Sequence, residues 1–164
     1  MIKEFVVISD THGLGYEIIE NLLPVINSVD ALVHLGDGLG DLTPFREQIK
    51  CDIIEVRGNC DTFSDAPEIS FVQTPAGKVM FTHGYAQKVD RGLLNLCLSA
   101  REHGCRYAFF GHTHTPCEEE TLGVTMINPG SACRPRLSNP SYAVVFSEKE
   151  NLISKIVPLP PKNR

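Results

Sequence analysis

Residues 107–114 read Tyr-Ala-Phe-Phe-Gly-His-Thr-His, an apolar run of strand length that stops at Gly111 and is followed at once by His112 and His114. Side chains two apart in extended backbone point the same way, so the two imidazoles can converge on one place. That place lies just past the end of a buried strand, where open α/β sheets bind their ligands. Histidine is a common ligand for transition metals. A pair of surface or capping histidines would read the same, so the rest of the chain has to supply the partners.

It supplies them in the same pattern. The apolar run 3–9 ends at Ser9-Asp10-Thr11-His12-Gly13, and Ala31-Leu32-Val33-His34-Leu35 ends at Gly36-Asp37-Gly38. Ile53 to Val56 ends at Arg57-Gly58-Asn59-Cys60-Asp61, and the run 78–82 ends at Thr82-His83-Gly84. The strand ends therefore carry Asp10, His12, Asp37, Asn59, His83, His112 and His114: two carboxylates, one amide and four imidazoles. Singly, Asp10 and Asp37 would serve equally as helix caps, and Asn59 and His83 as turn residues. Together they form a mixed O and N set, which suits Mn, Fe or Zn better than Ca or Mg. The lack of thiolates in it argues against a structural zinc site. Seven groups exceed the needs of one ion, and two ions sharing a carboxylate is the economical arrangement. Two metals about 3.5–4 Å apart can hold a hydroxide and the oxygens of a phosphoryl group in line for hydrolysis. Coordination also brings the pKa of bound water toward neutrality, so no separate base is needed.

The elements that must position these residues read as follows. Strand, helix, strand, helix, strand within the first 57 residues predicts βαβ units and a parallel sheet with right-handed crossovers. The helices are expected at 18–26, where Ile18, Ile19, Leu22, Leu23 and Ile26 recur at helical spacing and Pro24 bends or ends the helix, and at 41–49. In the second half, β segments near 69–73 and 78–82 flank the turn Pro75-Ala76-Gly77. Asp90 is the expected N-cap of a helix carrying Leu93 to Ala100, stopped by Gly104. Strands follow at 106–110, 117–121, 124–127, 141–147 and 152–157, expected to lie largely antiparallel in a second sheet packed on the first. The tail 158–164 carries no pattern and is expected to fray. The whole of 1–164 reads as one domain.

Asp10-x-His12, Gly36-Asp37, Gly58-Asn59, His83-Gly84 and Gly111-His112-x-His114, in this order, resemble the five blocks of the calcineurin-like metallophosphoesterases. The compact length and the form Gly58-Asn59-Cys60-Asp61 resemble the small prokaryotic YfcE-like phosphodiesterase branch, as does Asn128-Pro129-Gly130-Ser131. The resemblance implies a four-layer α/β/β/α sandwich and a dinuclear, metal-dependent phosphoesterase, most simply a phosphodiesterase, in which a metal-bound hydroxide attacks phosphorus. It implies that Asp10, His12 and His114 hold one ion, that Asn59, His83 and His112 hold the other, and that Asp37 bridges them. Asp37, Asn59 and His112 would act through the metals, which would be Mn²⁺, with Fe, Ni, Co or Zn as alternatives. Many members carry a histidine where this chain has Cys60. A thiol of pKa about 8.5 is a poor proton donor to a leaving group, which favours diester over monoester substrates. Cys60 itself then reads as a neighbour of the site with no direct chemistry. A phosphomonoesterase is the competing activity. A non-catalytic interaction scaffold, as a eukaryotic retromer subunit of this fold is, is the competing class.

Around the blocks, Asp61 is placed to hydrogen-bond behind the site, and Arg134 and Arg136 are candidates for a substrate phosphate contact or for plain solvated charges. His34 reads as a packed core histidine and His103 as a helix C-terminal one, both outside the site. The segment from Phe63 to Phe71 is a candidate pocket wall or interface. Hydrophobic residues at 42% and charged ones at 21% describe an ordinary globule. The net charge of −5, from 20 acidic against 15 basic residues, would move toward neutrality with metal bound, and scattered Lys and Arg exclude an extended nucleic-acid footprint. No apolar run approaches the roughly 18 residues of a membrane span. A short apolar start interrupted by Ser9-Asp10 is not a signal peptide, so a cytoplasmic location is expected, with reduced cysteines at 51, 60, 97, 105, 117 and 133. The expected partner is a small phosphate ester, and a homo-oligomer is compatible with the chain.

Overall fold

The computed structural model describes residues 1–160. The strands are β1 (Glu4–Ile8), β2 (Ala31–His34), β3 (Asp52–Glu55), β4 (Ile69–Thr74) and β5 (Gly77–Thr82), then β6 (Tyr107–Phe109), β7 (Cys117–Thr121), β8 (Val124–Asn128), β9 (Ser141–Glu148) and β10 (Asn151–Pro158). The helices are α1 (Tyr16–Ile26) and α2 (Leu94–Glu102).

Two five-stranded sheets form, in the orders β10-β9-β1-β2-β3 and β4-β5-β6-β8-β7. They stack face to face because β1 alternates between two apolar environments. Phe5 and Val7 point between the sheets with Val33, Phe81, Phe109, Ile127 and Val145. Val6 and Ile8 point the other way, against Ile19, Leu22 and Ile26 of α1. The Phe5 ring meets Phe81 and Phe109 edge-on at centroid distances of 5.6 and 5.7 Å, which locks the sheets in register. On the far side Met80, Ala108, Phe110 and Met126 pack on Leu96, Cys97 and Ala100 of α2. Helix, sheet, sheet and helix give the four layers.

β1, β2 and β3 are parallel, as the βαβ spacing requires. The second half departs from its expected topology. β5, β6 and β8 are parallel, and only β4 and β7 run antiparallel at the edges. β9 and β10 return to the first sheet, β9 lying antiparallel to β1 with Phe5 opposite Val145. The physical reason is that α2 is a crossover helix between β5 and β6, which makes that pair parallel. The helix expected at 41–49 is a 3-10 helix over 39–45, and Pro44, which lies inside it and has no amide to donate, keeps it short. Asp90 does not cap α2. It sits in a separate 3-10 turn, and Gly92, at φ 131°, breaks the chain before the helix begins at Leu94. Pro24 falls within the last turn of α1.

The expected fray at 158–164 starts too early. Pro158 pairs with Ser141, and Leu159 packs on the outer core with its amide donating to the Pro140 carbonyl at 2.7 Å. Residues 161–164 of that expectation lie outside the described residues. Cys97 and Cys105 are buried as reduced thiols. Among the described residues no helix is long and apolar enough to cross a membrane.

Candidate metal centre

The loops after β1, β2, β3, β5 and β6 meet at one edge of the sandwich and are stitched by their own backbones. The Asp10 amide donates to Gly36 O, the His12 amide to Asp37 O and the Gly111 amide to His83 O, at 2.9–3.0 Å. At Gly111 a Cβ would stand 2.1 Å from Ser9 Oγ and 2.8 Å from Asp10 Oδ2, so only glycine lets these loops close. Asp10, His12, Asp37, His112 and His114 all hold positive φ, between 50 and 68°. Non-glycine residues seldom adopt that conformation, and it persists where surrounding structure enforces it, commonly at functional sites.

Their side chains converge. Asp10 Oδ1 lies 3.2 Å from His114 Nε2, 3.8 Å from His12 Nε2 and 4.0 Å from His83 Nε2. Asp37 Oδ2 lies 3.3 Å from His83 Nε2 and 3.8 Å from His12 Nε2. His83 Nδ1 donates to the Leu35 carbonyl and His114 Nδ1 to the Arg134 carbonyl, each at 2.7 Å, which turns both Nε2 atoms inward. His112 is fixed edge-on between the rings of His83 and Tyr85. The other oxygens of the two carboxylates are already spoken for. Asp10 Oδ2 accepts from Ser9 Oγ and the His112 amide, and Asp37 Oδ1 accepts from the Cys60 amide at 2.8 Å.

What is left over is a donor set that could hold a cation. Asp10 Oδ1 and His83 Nε2 are the buried side-chain polar atoms among the described residues that lack a hydrogen-bond partner, and both face this centre. Buried groups normally find partners, so two such atoms beside these carboxylates and imidazoles fit a bound cation. Ligand atoms fall into clusters within 4.8 Å: Asp10, His12 and His114; Asp37, His83 and His112; and His12, Asp37 and Cys60. Electrostatics agree with this donor set. Burial opposes ionisation of Asp10 and Asp37, but the imidazoles of His114 and His83 outweigh it and hold both carboxyls below the ordinary range. Burial works against charge on His83 and is overcome by Asp37 and Asp10, so its pKa rises. The carboxylate of Asp10 raises that of His114. In His12 and His112 burial dominates and lowers it.

The remaining residues fall around this core. Asn59 is exposed and lines, with His83, Tyr85, Thr62 and Arg57, a cavity of about 310 Å³ beside the centre. Asp61 does not face the centre. Its carboxylate accepts from the amides of Asp37, Gly38, Leu39 and Gly58, which fixes the β2 loop against the β3 loop. Asn128 holds the histidine loop through Gly111 O and Thr113 Oγ1, while Ser131 Oγ donates to Asp10 O. Asp41, which carries no motif, accepts from the amides of Gly13 and Gly15 and anchors the Asp10 loop. Arg134 and Arg136 are exposed on the rim next to His114. Phe63 is fully exposed and lines a second cavity, whereas Phe71 packs against the α2 layer. His103 caps α2 by donating from Nδ1 to Ser99 O. His34 is fully buried, as a core histidine should be.

The model of the calcineurin-like phosphoesterase superfamily domain matches residues 4–150. The chain belongs to the calcineurin-like phosphoesterase superfamily. The probable metallophosphoesterase YsnB of Bacillus subtilis is 34% identical over 146 residues, covering 88% of this chain and 84% of that one. A crystal structure of a predicted phosphoesterase from Streptococcus pneumoniae superposes with a TM-score of 0.82 at 26% identity, over 96% of this chain and 90% of the other. Two more distant structures share the fold. Vps29 of Chaetomium thermophilum does so at TM-score 0.76 and 17% identity, over 94% and 95% of the two chains. An archaeal phosphodiesterase does so at 0.72 and 23%, over 94% and 99%. The four-layer α/β/β/α fold is that of the superfamily, and so is the metallophosphoesterase character of its relatives.

Proposed function

We propose that this calcineurin-like phosphoesterase is a dinuclear phosphodiesterase that acts on a small, soluble phosphate ester in the cytoplasm. Asp10, His12 and His114 would hold one divalent ion, Asn59, His83 and His112 the second, and Asp37 would lie between them. The observation that carries this reading is the pair of orphaned buried atoms, Asp10 Oδ1 and His83 Nε2, inside a shell of residues held at positive φ.

The chain's contribution is placement and charge. Asp10 and Asp37 bring two carboxylates that neighbouring imidazoles keep ionised. His83 and His114 are locked in the orientation that presents Nε2. Bound Mn²⁺ or a similar cation would supply Lewis acidity to the phosphoryl oxygens and acidify the attacking water. Asp61, Asn128 and Ser131 keep the loops from relaxing around those charges. Arg134 and Arg136 stand where a phosphate could be met from the solvent side.

The preference for diesters rests on Cys60. Burial and then the Asp37 carboxylate push its thiol pKa up, which leaves it a weaker proton donor than an imidazole would be at the same position. A monoester with a poor leaving group needs that proton most. The archaeal phosphodiesterase of the same fold supports the same choice. A non-catalytic scaffold would have no use for six side chains, Asp10, His12, Asp37, His83, His112 and His114, gathered in this way. The test is hydrolysis by metal-stripped protein after Mn²⁺ addition, comparing bis-p-nitrophenyl phosphate with p-nitrophenyl phosphate. Turnover of the diester ahead of the monoester is expected, and a faster monoester would overturn the substrate class.

A further inference from the structure

Cys60 lies beside the centre, as its place after Asn59 implies. It follows β3 on an exposed loop, its amide donates to Asp37 Oδ1, and Asn59 Nδ2 points at its sulfur from 3.6 Å. Its Sγ, a ring nitrogen of His12 and a carboxylate oxygen of Asp37 lie within 4.8 Å of one another. His12 and Asp37 are thus shared between this cluster and the two all-O,N clusters. The two buried atoms without a hydrogen-bond partner each stand beside a member of this cluster, Asp10 Oδ1 3.8 Å from His12 Nε2 and His83 Nε2 3.3 Å from Asp37 Oδ2.

A site with O, N and S donors within reach does not treat all divalent ions alike. Thiolate is a soft ligand that selects Zn²⁺ and its heavier congener Cd²⁺, whereas Mn²⁺ is served by oxygen and imidazole. We infer that Cys60 is an auxiliary metal ligand, recruited by thiophilic cations and left as a thiol by harder ones, so that it sets the metal preference of the centre. The inference rests on the metal centre proposed above. On recruitment the S–H bond breaks, an S–metal bond forms and the proton passes to solvent through the exposed face of the loop. Metal uptake of this kind should therefore release one more proton with Cd²⁺ than with Mn²⁺.

The test uses the metal-stripped full chain, wild type and Cys60→Ser, titrated with Cd²⁺ alone and with Mn²⁺ alone. Cd²⁺ should produce the ultraviolet sulfur-to-cadmium charge-transfer absorption in the wild type and none in Cys60→Ser. Cd²⁺ affinity should fall by about tenfold or more in the variant, with Mn²⁺ affinity changed by less than about twofold. Cd²⁺ should also protect the Cys60 peptide from alkylation by iodoacetamide, read by mass spectrometry. An equal absorption and equal Cd²⁺ affinity in both proteins would overturn the role of Cys60 and leave the centre standing. Failure of both proteins to bind either ion would instead overturn the metal centre on which the inference depends.

Discussion

His34 makes acid lability a quantitative expectation. The Gly36 amide donates to His34 Nδ1 at 3.1 Å, so that nitrogen carries no proton, and Nε2–H donates to Thr11 Oγ1 at 3.1 Å. Thr11 passes the chain on to the Gly38 carbonyl. A protonated ring would need a second acceptor where only an amide donor stands. Burial, opposed by the carboxylates of Asp61, Asp10 and Asp41, lowers the His34 pKa from 6.5 to about 4. The folded-state value lies below the unfolded one, so between those values the unfolded chain holds the proton. Stability is then complete above pH 6.5 and is lost as pH falls toward 4. The loss from this one group amounts to about 2 kcal/mol at pH 5, and about 3 kcal/mol once the folded state is also protonated. Urea denaturation at pH 7 and pH 5, in chelator, should show His34→Gln losing about 2 kcal/mol less than the wild type over that interval. In thermal melts the same difference corresponds to roughly 4–8 °C. The carboxylates and imidazoles of the centre titrate in both proteins, so the difference between the two losses isolates His34. Equal losses would refute the reasoning.

Other outcomes follow from the same contacts. Asp37→Asn should reduce activity and Mn²⁺ content by more than roughly a hundredfold, beyond what removal of a residue behind a ligand does, while its circular dichroism and urea midpoint stay near wild type. Gly111→Ala forces a Cβ into Ser9 Oγ and Asp10 Oδ2, and should cost about 1–3 kcal/mol in urea denaturation together with weaker Mn²⁺ binding in calorimetry. Asp61→Asn removes the charge that gathers four backbone amides; a loss of about 2 kcal/mol by urea midpoint is expected, with Mn²⁺ affinity falling because Asp37 shifts.

The legible part of this protein was local. A buried strand ending in glycine next to an Asp, Asn or His is a pattern that one segment carries by itself, and each such end does arrive at the same edge. Most strands and the two outer helices were equally legible from apolar runs and helical spacing, but the return of β9 and β10 to the first sheet was not. The pairing of strands was less so. Nothing in the alternation of β9 says that Val145 lies opposite Phe5, because the partner is chosen by packing between residues far apart in the chain. Backbone conformation was also hidden. Positive φ at Asp10, His12, Asp37, His112 and His114 has no sequence signal, since glycine is the residue that advertises it. Asp41 carried no motif because it accepts only backbone amides. Asp61 was expected behind the site, but as a partner of ligands rather than as the clamp between two loops. The direction of the Cys60 side chain depends on a turn geometry that its four-residue block does not specify.

We propose that seven side chains from five loops form a centre for two cations. Its most direct test is titration of the metal-stripped protein with Mn²⁺, followed by electron paramagnetic resonance and by metal analysis after desalting. Two ions per chain, spin-coupled to each other, are expected, with loss of the coupled signal in Asp37→Asn. A single uncoupled ion, or no retained Mn²⁺ at all, would contradict it.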